Sequence, residues 1–351
     1  MDLKPLSWRG KRVLITGHTG FKGSWLSFLL NDLGAEVVGI SLPPESPQSL
    51  YNTSRVVELL SKEYFLDIRD QFALENAFIE AKPDYVFHLA AQAYVRRSYM
   101  TPLETIATNV MGTANVLVAS LAQKSVLGVT LATTDKVYEN HGALEPFNES
   151  SPLGGKDPYS ASKAASELII AAIALSQNPN KIPVTTVRAG NVIGGGDWGE
   201  DRLIPDLIHA LQHDQPLTIR NPNATRPWQH VLDCLYGYLL VAQLHLENRV
   251  NLPKSINFGP SESMSVSGLV ELFEREFKKK IDQVIVPSPI PESVWLEIDS
   301  TLAHKELNWR CSFSQASAVR QTASWYSKFA DGEDARALLE TEIFRFKADK
   351  W

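Results

Sequence analysis

The stretch Lys11-Arg12-Val13-Leu14-Ile15-Thr16-Gly17-His18-Thr19-Gly20-Phe21-Lys22-Gly23-Ser24-Trp25-Leu26-Ser27-Phe28-Leu29-Leu30 decides the fold. An apolar strand runs to Thr16, a glycine-rich turn follows, and an apolar helix begins at Ser24. A strand feeding such a turn and helix is a device for holding a pyrophosphate. The glycines let backbone N–H groups approach the anion, and the helix N-terminus adds partial positive charge. Gly17, Gly20 and Gly23 read G-x-x-G-x-x-G, with Thr19 and Phe21 between them. In this setting the run predicts a dinucleotide site.

Working outward, strands and helices alternate. Glu36–Ile40 reads as a second buried strand, and Tyr64-Phe65-Leu66 leads to Asp67. A helix pattern covers Asp70 to Lys82, Tyr85–Leu89 is a strand, Asn109 to Ser120 a helix and Val126 to Thr133 a strand. A long helix runs from Tyr159 to Leu175, before the strand Thr185–Arg188. Near-continuously apolar strands alternating with helices specify an α/β fold with a parallel, doubly wound sheet. Beyond Gly194 the pattern loosens: Gly194–Gly199 is a loop, Pro287-Ser288-Pro289-Ile290-Pro291 a turn-rich connector, and the stretch from Phe313 is helical. The expected division is a dinucleotide-binding domain over 1–190 and a smaller mixed α/β substrate lobe over 191–351, with the chain free to cross back to the sheet. That lobe is expected over the carboxyl ends of the strands, where such sheets bind ligands.

Composition sets the class. At 351 residues, 44% hydrophobic and 21% charged, the chain is globular and long enough for one large core plus a second lobe. No run of about 18 uninterrupted apolar residues predicts a membrane span. Met1–Trp8 lacks the apolar region of a signal peptide, so a cytoplasmic location is expected. Cys234 and Cys311 are too few for a disulfide framework or a cysteine metal site, and their apolar surroundings point to packing. No His/Asp/Glu cluster has metal spacing. A formal charge of −6 argues against nucleic-acid binding through a basic surface. The one basic cluster, Lys278-Lys279-Lys280, sits where it would cap the C-terminus of a helix starting near Val266.

Chemistry concentrates at two places. Tyr159-Ser160-Ala161-Ser162-Lys163 opens the long helix, and the i, i+4 spacing puts phenol and ammonium on one face. A phenol with a pKa near ~10 is a poor base at neutral pH unless a neighbouring cation favours phenolate, and Lys163 is placed to supply one. The strand Val126–Thr133 ends in Thr134-Asp135-Lys136-Val137-Tyr138, at the ligand end of the sheet. There the Thr134 hydroxyl can reach the same oxygen as Tyr159.

The glycine run, Thr134 and Tyr159-x-x-x-Lys163 together resemble the extended short-chain dehydrogenase/reductase family of nucleotide-sugar enzymes, with a Rossmann-type sheet. The resemblance covers nearly the whole chain. It implies that Asp67-Ile68 contacts adenine and that Leu89-Ala90-Ala91-Gln92, after His88, is the strand-four segment. Leu89, Ala90 and Ala91 would face the cofactor with Asn109, Tyr159 and Lys163, and Gln92 the substrate. Asn191 is similar to the family's substrate-loop asparagine, and Arg226-Pro227-Trp228-Gln229-His230-Val231 to its diphosphate-clamping segment. Arg226 leads as the diphosphate ligand, with Arg202 and Arg220 behind it, because a guanidinium fork pairs bidentately with phosphate. His88 and His230 read as packing residues. The implied assembly is a homodimer, or a dimer of dimers, on a four-helix contact of the helices from Asn109 and Tyr159.

Within the family, Thr-Asp-acidic-Val-Tyr marks sugar 4,6-dehydratases. This chain has Lys136 at the acidic position. With Gln92–Ser98 and Ala189–Trp198, that departure resembles the branch acting on CDP-glucose, an early step toward deoxy- and dideoxyhexoses of the O-antigen type. The implied reaction has three steps. Tyr159 takes the 4-hydroxyl proton while hydride leaves C4 for the nicotinamide; water is eliminated across C5 and C6; hydride returns to C6. Asp135 is expected as the acid at the 6-hydroxyl if burial raises its pKa. Lys136 is expected as the C5 base if desolvation and Lys163 keep it neutral, or else as a charged stabiliser of the enolate.

The expected cofactor is NAD. Ser41-Leu42-Pro43 follows the second strand in place of the usual acidic residue, and no arginine lies close in sequence to greet a 2′-phosphate. Two other functions share part of this pattern. A nucleotide-sugar 4-epimerase would not need Asp135-Lys136, and a non-catalytic dinucleotide sensor would not need Tyr159 and Lys163.

Overall fold

The computed structural model describes residues 8–142, 145–247, 249, 252–286 and 296–350. Met1 to Ser7 and the connector Pro287–Pro291 lie outside the described residues. Seven parallel strands form the central sheet: β1 (Arg12–Thr16), β2 (Glu36–Ser41), β3 (Leu60–Phe65), β4 (Tyr85–His88), β5 (Val129–Ala132), β6 (Val184–Ala189) and β7 (Ser255–Phe258). Their order is 3-2-1-4-5-6-7, so the winding reverses between β1 and β4. A crevice opens at such a reversal, outside the carboxyl ends of the strands.

Alternation along each strand builds two cores. Val13 and Ile15 of β1 face one side with Trp25, Leu26, Leu29 and the helix Val231–Leu246. Leu14 faces the other with Val38, Val86, Phe78, Val116, Leu117 and Ile170. Because both faces are covered, strand residues on either side are apolar, which explains the continuous runs.

The sheet has one strand more than the sequence pattern showed. Ser255–Phe258 pairs with β6 in parallel, from Ser255 opposite Thr186 to Phe258 opposite Ala189. Parallel neighbours need a crossover, and the helix Val231–Leu246 supplies it. Fourteen of its sixteen residues are buried, so it carries no amphipathic signature. The chain therefore does cross back, and a boundary at residue 190 does not separate the sheet from the rest. The remaining lobe carries two-residue strand pairs, such as Thr225–Arg226 with Met264–Ser265, and the helices Leu203–His213, Val266–Phe277, Gln315–Ala330 and Ala335–Lys350.

Helix starts are marked by caps. The Asp70 carboxylate accepts from Ala73 N–H at 3.0 Å and opens Gln71–Ala81. Asp157 accepts from Ser160 N–H at 2.9 Å, with Pro158 at the first helical position of Pro158–Ser176. The Val266–Phe277 helix ends in Lys278 at φ 51°, a left-handed cap, and the exposed Lys279 and Lys280 pair with Asp214 and Glu274. The stretch Pro102–Ala122 is long and apolar enough to cross a membrane by length and composition, but half of it is buried against the fold. It contains a π-helical segment at Ala107–Gly112 before the α-helix Thr113–Ala122.

Candidate active site

The cavity at the carboxyl ends of the strands encloses about 1140 Å³. That exceeds the roughly 300–1,000 Å³ of a pocket for one small ligand and suits two ligands end to end. The glycine turn forms its floor. Gly17 has φ +82°, and a Cβ there would meet Ala90 N at 2.7 Å, so the turn lies against the segment after β4. A Cβ on Gly23 would stand 2.1 Å from Gly17 O, closing the turn on the helix that follows. No side chain caps the Phe21–Asp32 helix, which leaves its first N–H groups for a ligand. These features fit a dinucleotide pyrophosphate. Thr19 donates to Leu42 O at 3.0 Å and pairs with Ser41 Oγ at 2.7 Å, bringing the polar end of β2 to the same rim. His18 points away, buried over Gly39, with Nε2 2.6 Å from Glu63.

Asp67, Ile68, Leu89, Ala90, Ala91 and Phe21 all line the cavity. Asp67 pairs with Arg69 at 2.6 Å, which holds its carboxyl below the usual range. Asn109 is different. It is fully buried and is not among the cavity-lining residues, because its amide is consumed by the backbone. Its Oδ1 accepts from Gln92 N–H at 2.9 Å, and its Nδ2 donates to Gln92 O and Ser162 Oγ at 3.0 and 2.9 Å. It couples the end of β4 to the Tyr159 helix rather than presenting a group to a ligand. Gln92 lines the cavity, yet its side-chain amide is occupied by both backbone groups of Tyr94 and by Thr105.

Tyr159, Lys163 and Thr134 meet at the cavity wall, all buried. Burial pushes the Tyr159 phenol up to about 12, against the facing Thr134 hydroxyl, which lowers it. Lys163 donates to Ala132 O at 3.3 Å, and burial, then the charge of Lys22, brings it down to about 8. A buried phenolate loses more hydration than the Thr134 hydrogen bond returns.

Asp135 is 1% exposed and Lys136 about one-third exposed. The Lys136 ammonium donates to Asp135 Oδ1 at 3.0 Å, and Thr134 Oγ donates to the same oxygen at 3.0 Å. Asp135 Oδ2 has no hydrogen-bond partner and faces Gly190, where a Cβ would come within 2.8 Å. The partner of Lys136 is therefore Asp135.

Asn191, Arg202, Arg220 and Arg226 line the same cavity. Arg202 pairs with Asp197 at 2.7 Å and lies 5.5 Å over the Tyr94 ring, and Asp197 raises its pKa. Arg220 lies 3.4 Å from Asp201, and Arg226 donates to Thr225 O at 2.9 Å. His88 is held by Thr16 and Thr113 at 2.7 and 2.9 Å, and burial lowers it to about 3; His230 is lowered likewise. Both are packing residues. Among the described residues no group of three or more His, Cys, Asp or Glu could hold a metal.

Several lining groups were invisible to sequence reasoning. Arg97 reaches Glu45 at 2.8 Å and Glu200 at 3.0 Å, and stacks 4.7 Å over Tyr94. An arginine distant in sequence thus reaches Glu45 in the segment after β2, but two carboxylates take its charge. Lys22, inside the glycine turn, also lines the cavity. The signal was its cation at the start of an apolar helix.

The family model described as NAD dependent epimerase/dehydratase matches residues 13–259. A CDP-glucose 4,6-dehydratase from Salmonella typhimurium is 39% identical over 96% of both chains. A UDP-glucose 4-epimerase from Thermotoga maritima superimposes with a TM-score of 0.80 at 23% identity, over 91% of this chain and 99% of its own. A dTDP-glucose 4,6-dehydratase from Streptomyces venezuelae, solved with NAD, superimposes at 0.78 and 24% identity over 92% and 98%. From the reversal point of its sheet to the length of these matches, the chain belongs to the NAD dependent epimerase/dehydratase family.

Proposed function

We propose that the protein dehydrates CDP-glucose to CDP-4-keto-6-deoxyglucose, with NAD held on the glycine turn. The observation that carries the reading is Asp135 and Lys136, hydrogen-bonded to each other beside Thr134 and Tyr159 in one cavity. An epimerase does not need that pair. The Salmonella relative supports CDP-glucose as the substrate. NAD, held by the Gly17–Gly23 turn, would supply a reversible hydride acceptor for C4 and donor for C6 of the sugar.

Tyr159 removes the 4-hydroxyl proton, and Thr134 orients the same oxygen. With its phenol near 12, Tyr159 requires positive charge close by, from Lys163 and from the bound cofactor. Elimination then needs an acid and a base together. Moving one proton along the 3.0 Å Lys136–Asp135 hydrogen bond creates both: a neutral Asp135 carboxyl to protonate the departing 6-hydroxyl, and a neutral Lys136 amine to take the C5 proton. A substrate that excludes water favours this neutral pair over the ion pair, because the charged form loses its hydration. Arg226, Arg202 and Arg220 supply cations for the diphosphate, while Asn191 and Gln92 shape the sugar end.

Nucleoside diphosphate sugars and NAD are cytoplasmic metabolites, so we place the reaction there. The product is a precursor for deoxyhexoses of lipopolysaccharide O-antigen type. The exposed apolar side chains Leu103, Ile106, Met111, Leu168 and Leu175, on neighbouring helices, support a homodimer through that face.

The test is mass spectrometry of the protein incubated with CDP-, dTDP- and GDP-hexoses and trace NAD. A product lighter by one water from CDP-glucose, without accumulation of NADH, is expected. An isobaric product would mean epimerisation, and no turnover would favour a sensor.

A further inference from the structure

The loop that follows Asn191 is held by residues distant from it in sequence. Gly195 lies against Trp325, where a Cβ would come within 2.1 Å of the indole, and Trp25 Nε1–H donates to Gly195 O at 3.0 Å. Trp198 meets Tyr326 edge-on, with ring centroids 5.3 Å apart. Tyr326 itself, 1% exposed on the Gln315–Ala330 helix, donates its hydroxyl to Asp197 O at 2.6 Å. Burial pushes that phenol well above its ordinary value, so it stays a donor.

The side chain of the same aspartate works at the cavity. Asp197 is buried; its Oδ2 accepts from Arg202 Nη1 at 2.7 Å and its Oδ1 from Gly199 N–H at 3.1 Å. A Cβ on Gly199 would crowd Asp197 Oδ1 and Arg202 Nε alike at 3.1 Å, so the glycine lets the pair close. Arg202 lies 5.5 Å over the Tyr94 ring and lines the cavity. A carboxylate beside a cation meant for phosphate costs some attraction for the anion. The guanidinium tolerates this because it carries five N–H donors and the pair engages one nitrogen. What the carboxylate supplies is order: a long stem already held in place loses less rotamer freedom when a ligand arrives.

We propose that Tyr326 and Asp197 are positioning residues for Arg202: the Tyr326 hydroxyl fixes the Asp197 backbone, the Asp197 carboxylate fixes the guanidinium, and the substrate's diphosphate meets an arginine already in place. This rests on the substrate reading above and deepens it. Tyr326 does so from a helix 129 residues further along the chain, without touching the ligand. The C-terminal helix is thereby part of the machinery that holds the nucleotide sugar, although its sequence carries no binding motif.

The experiment is calorimetry on the NAD-bound protein with CDP and with cytidine, for the parent, Tyr326→Phe, Arg202→Met and the double variant. Tyr326→Phe removes one oxygen and no charge. It is expected to weaken CDP by about 3- to 10-fold, the range for ordering one arginine on binding, and to leave cytidine within a factor of about two. Arg202→Met weakens CDP by about 10- to 100-fold, as for a lost charged hydrogen bond. In the Arg202→Met background Tyr326→Phe costs nothing further, because its effect passes through the arginine. In turnover the loss from Tyr326→Phe falls on KM for CDP-glucose rather than on kcat. Should Tyr326→Phe fail to fold, Gly199→Ala runs the same cycle by crowding the Asp197–Arg202 pair without altering charge. Equal weakening of cytidine, or the same factor in both backgrounds, would overturn the proposal and leave Tyr326 a structural residue. Undiminished CDP affinity in Arg202→Met, with the parent dehydrating CDP-glucose, would overturn it while the proposed reaction stands. A parent protein that binds NAD but not CDP would defeat the substrate reading, and this proposal with it.

Discussion

The Glu167 carboxylate grips the Arg188 guanidinium through Nε and Nη2 at 2.8 and 2.9 Å, with both side chains no more than 5% exposed. Glu167 lies one turn beyond Lys163 on the same helix, and Arg188 lies on β6. Thr133 Oγ donates to Glu167 Oε1 at 2.5 Å and Thr186 Oγ to Oε2 at 2.8 Å. The helix carrying Tyr159 and the strand end carrying Thr134 are therefore fastened to one carboxylate. Removing it strands a buried cation. Glu167→Ala is expected to lose about 3–5 kcal/mol of stability in urea melts, while Glu167→Met combined with Arg188→Met recovers much of that. Equal loss in the single and double variants would show that the charges are not coupled.

Tyr159 and Lys163 divide the oxidation step. Tyr159→Phe is expected to abolish the NADH signal formed in a single turnover with CDP-glucose. Lys163→Met slows it by about 100- to 10,000-fold and moves the acidic limb of its pH profile upward, because the phenol then ionises with less help. A profile unmoved in Lys163→Met would separate the lysine from the phenol.

Lys136 is tested at the elimination step. Lys136→Met should still oxidise C4 but exchange solvent deuterium into C5 far more slowly than the parent. Exchange at the parent rate would assign the C5 proton to another group and leave Lys136 as a charge stabiliser.

Glu342 makes stability depend on pH. Burial pushes its carboxyl up to about 8, and its Oε2 lies 3.7 Å from His230 Nε2 with neither atom hydrogen-bonded. The unfolded chain releases this proton near the ordinary carboxyl value of 4.5 and the folded chain near 8. Between the two the unfolded state binds fewer protons, so Glu342 lowers stability as pH rises. Glu342→Gln cannot titrate. Its melting temperature should gain on the parent between about pH 5 and about pH 8.5. A constant difference across that range would place the ionisation elsewhere.

The apolar face gives a prediction on assembly. Leu168 and Leu175 of one helix are 62% and 86% exposed, beside Met111 and Ile106. Leu168→Glu is expected to convert dimer to monomer in sedimentation velocity, since a carboxylate on such a face loses hydration on association. Unaltered sedimentation would place the contact elsewhere.

The legible parts of the sequence were those whose burial is one-sided or complete. β1, β2 and β4 appear within a residue or so, because continuous apolar runs mark doubly covered strands. β3 read only from Tyr64 because Ser61, Lys62 and Glu63 carry no apolar signal on an edge strand, which actually begins at Leu60. β7 and its crossover helix escaped notice because a helix buried all round has no period to detect. At the site, residue types and spacing indicated Thr134, Asp135, Lys136, Tyr159 and Lys163. What spacing could not convey was who pairs with whom: Asp135 with Lys136, Asp197 with Arg202, or Arg97 with Glu45. Only the last of these pairs joins segments distant in sequence; the first two are local, but which neighbour each side chain turns to is decided by the folded backbone. Gly195 and Gly196 read as part of a loop; packing against Trp325 demands the first, while the second is required both by its φ of +80° and by the closeness of Leu50.

The π-helical turn at Ala107–Gly112 makes the helix longer by one residue than an ordinary turn needs, and that surplus aims Asn109 at Gln92 and Ser162. Its carbonyl, released from the regular ladder, accepts Ser166 Oγ at 2.8 Å. Losing a single residue here would restore a regular α-helix and swing everything on one side of the deletion by about 100° relative to the other. The tether between β4 and the Tyr159 helix would then be cut with the helix itself intact. Chain length at this turn is thus a coordinate of the active site: a one-residue gap would matter more than most substitutions, and would be misjudged by any scoring of residue type alone.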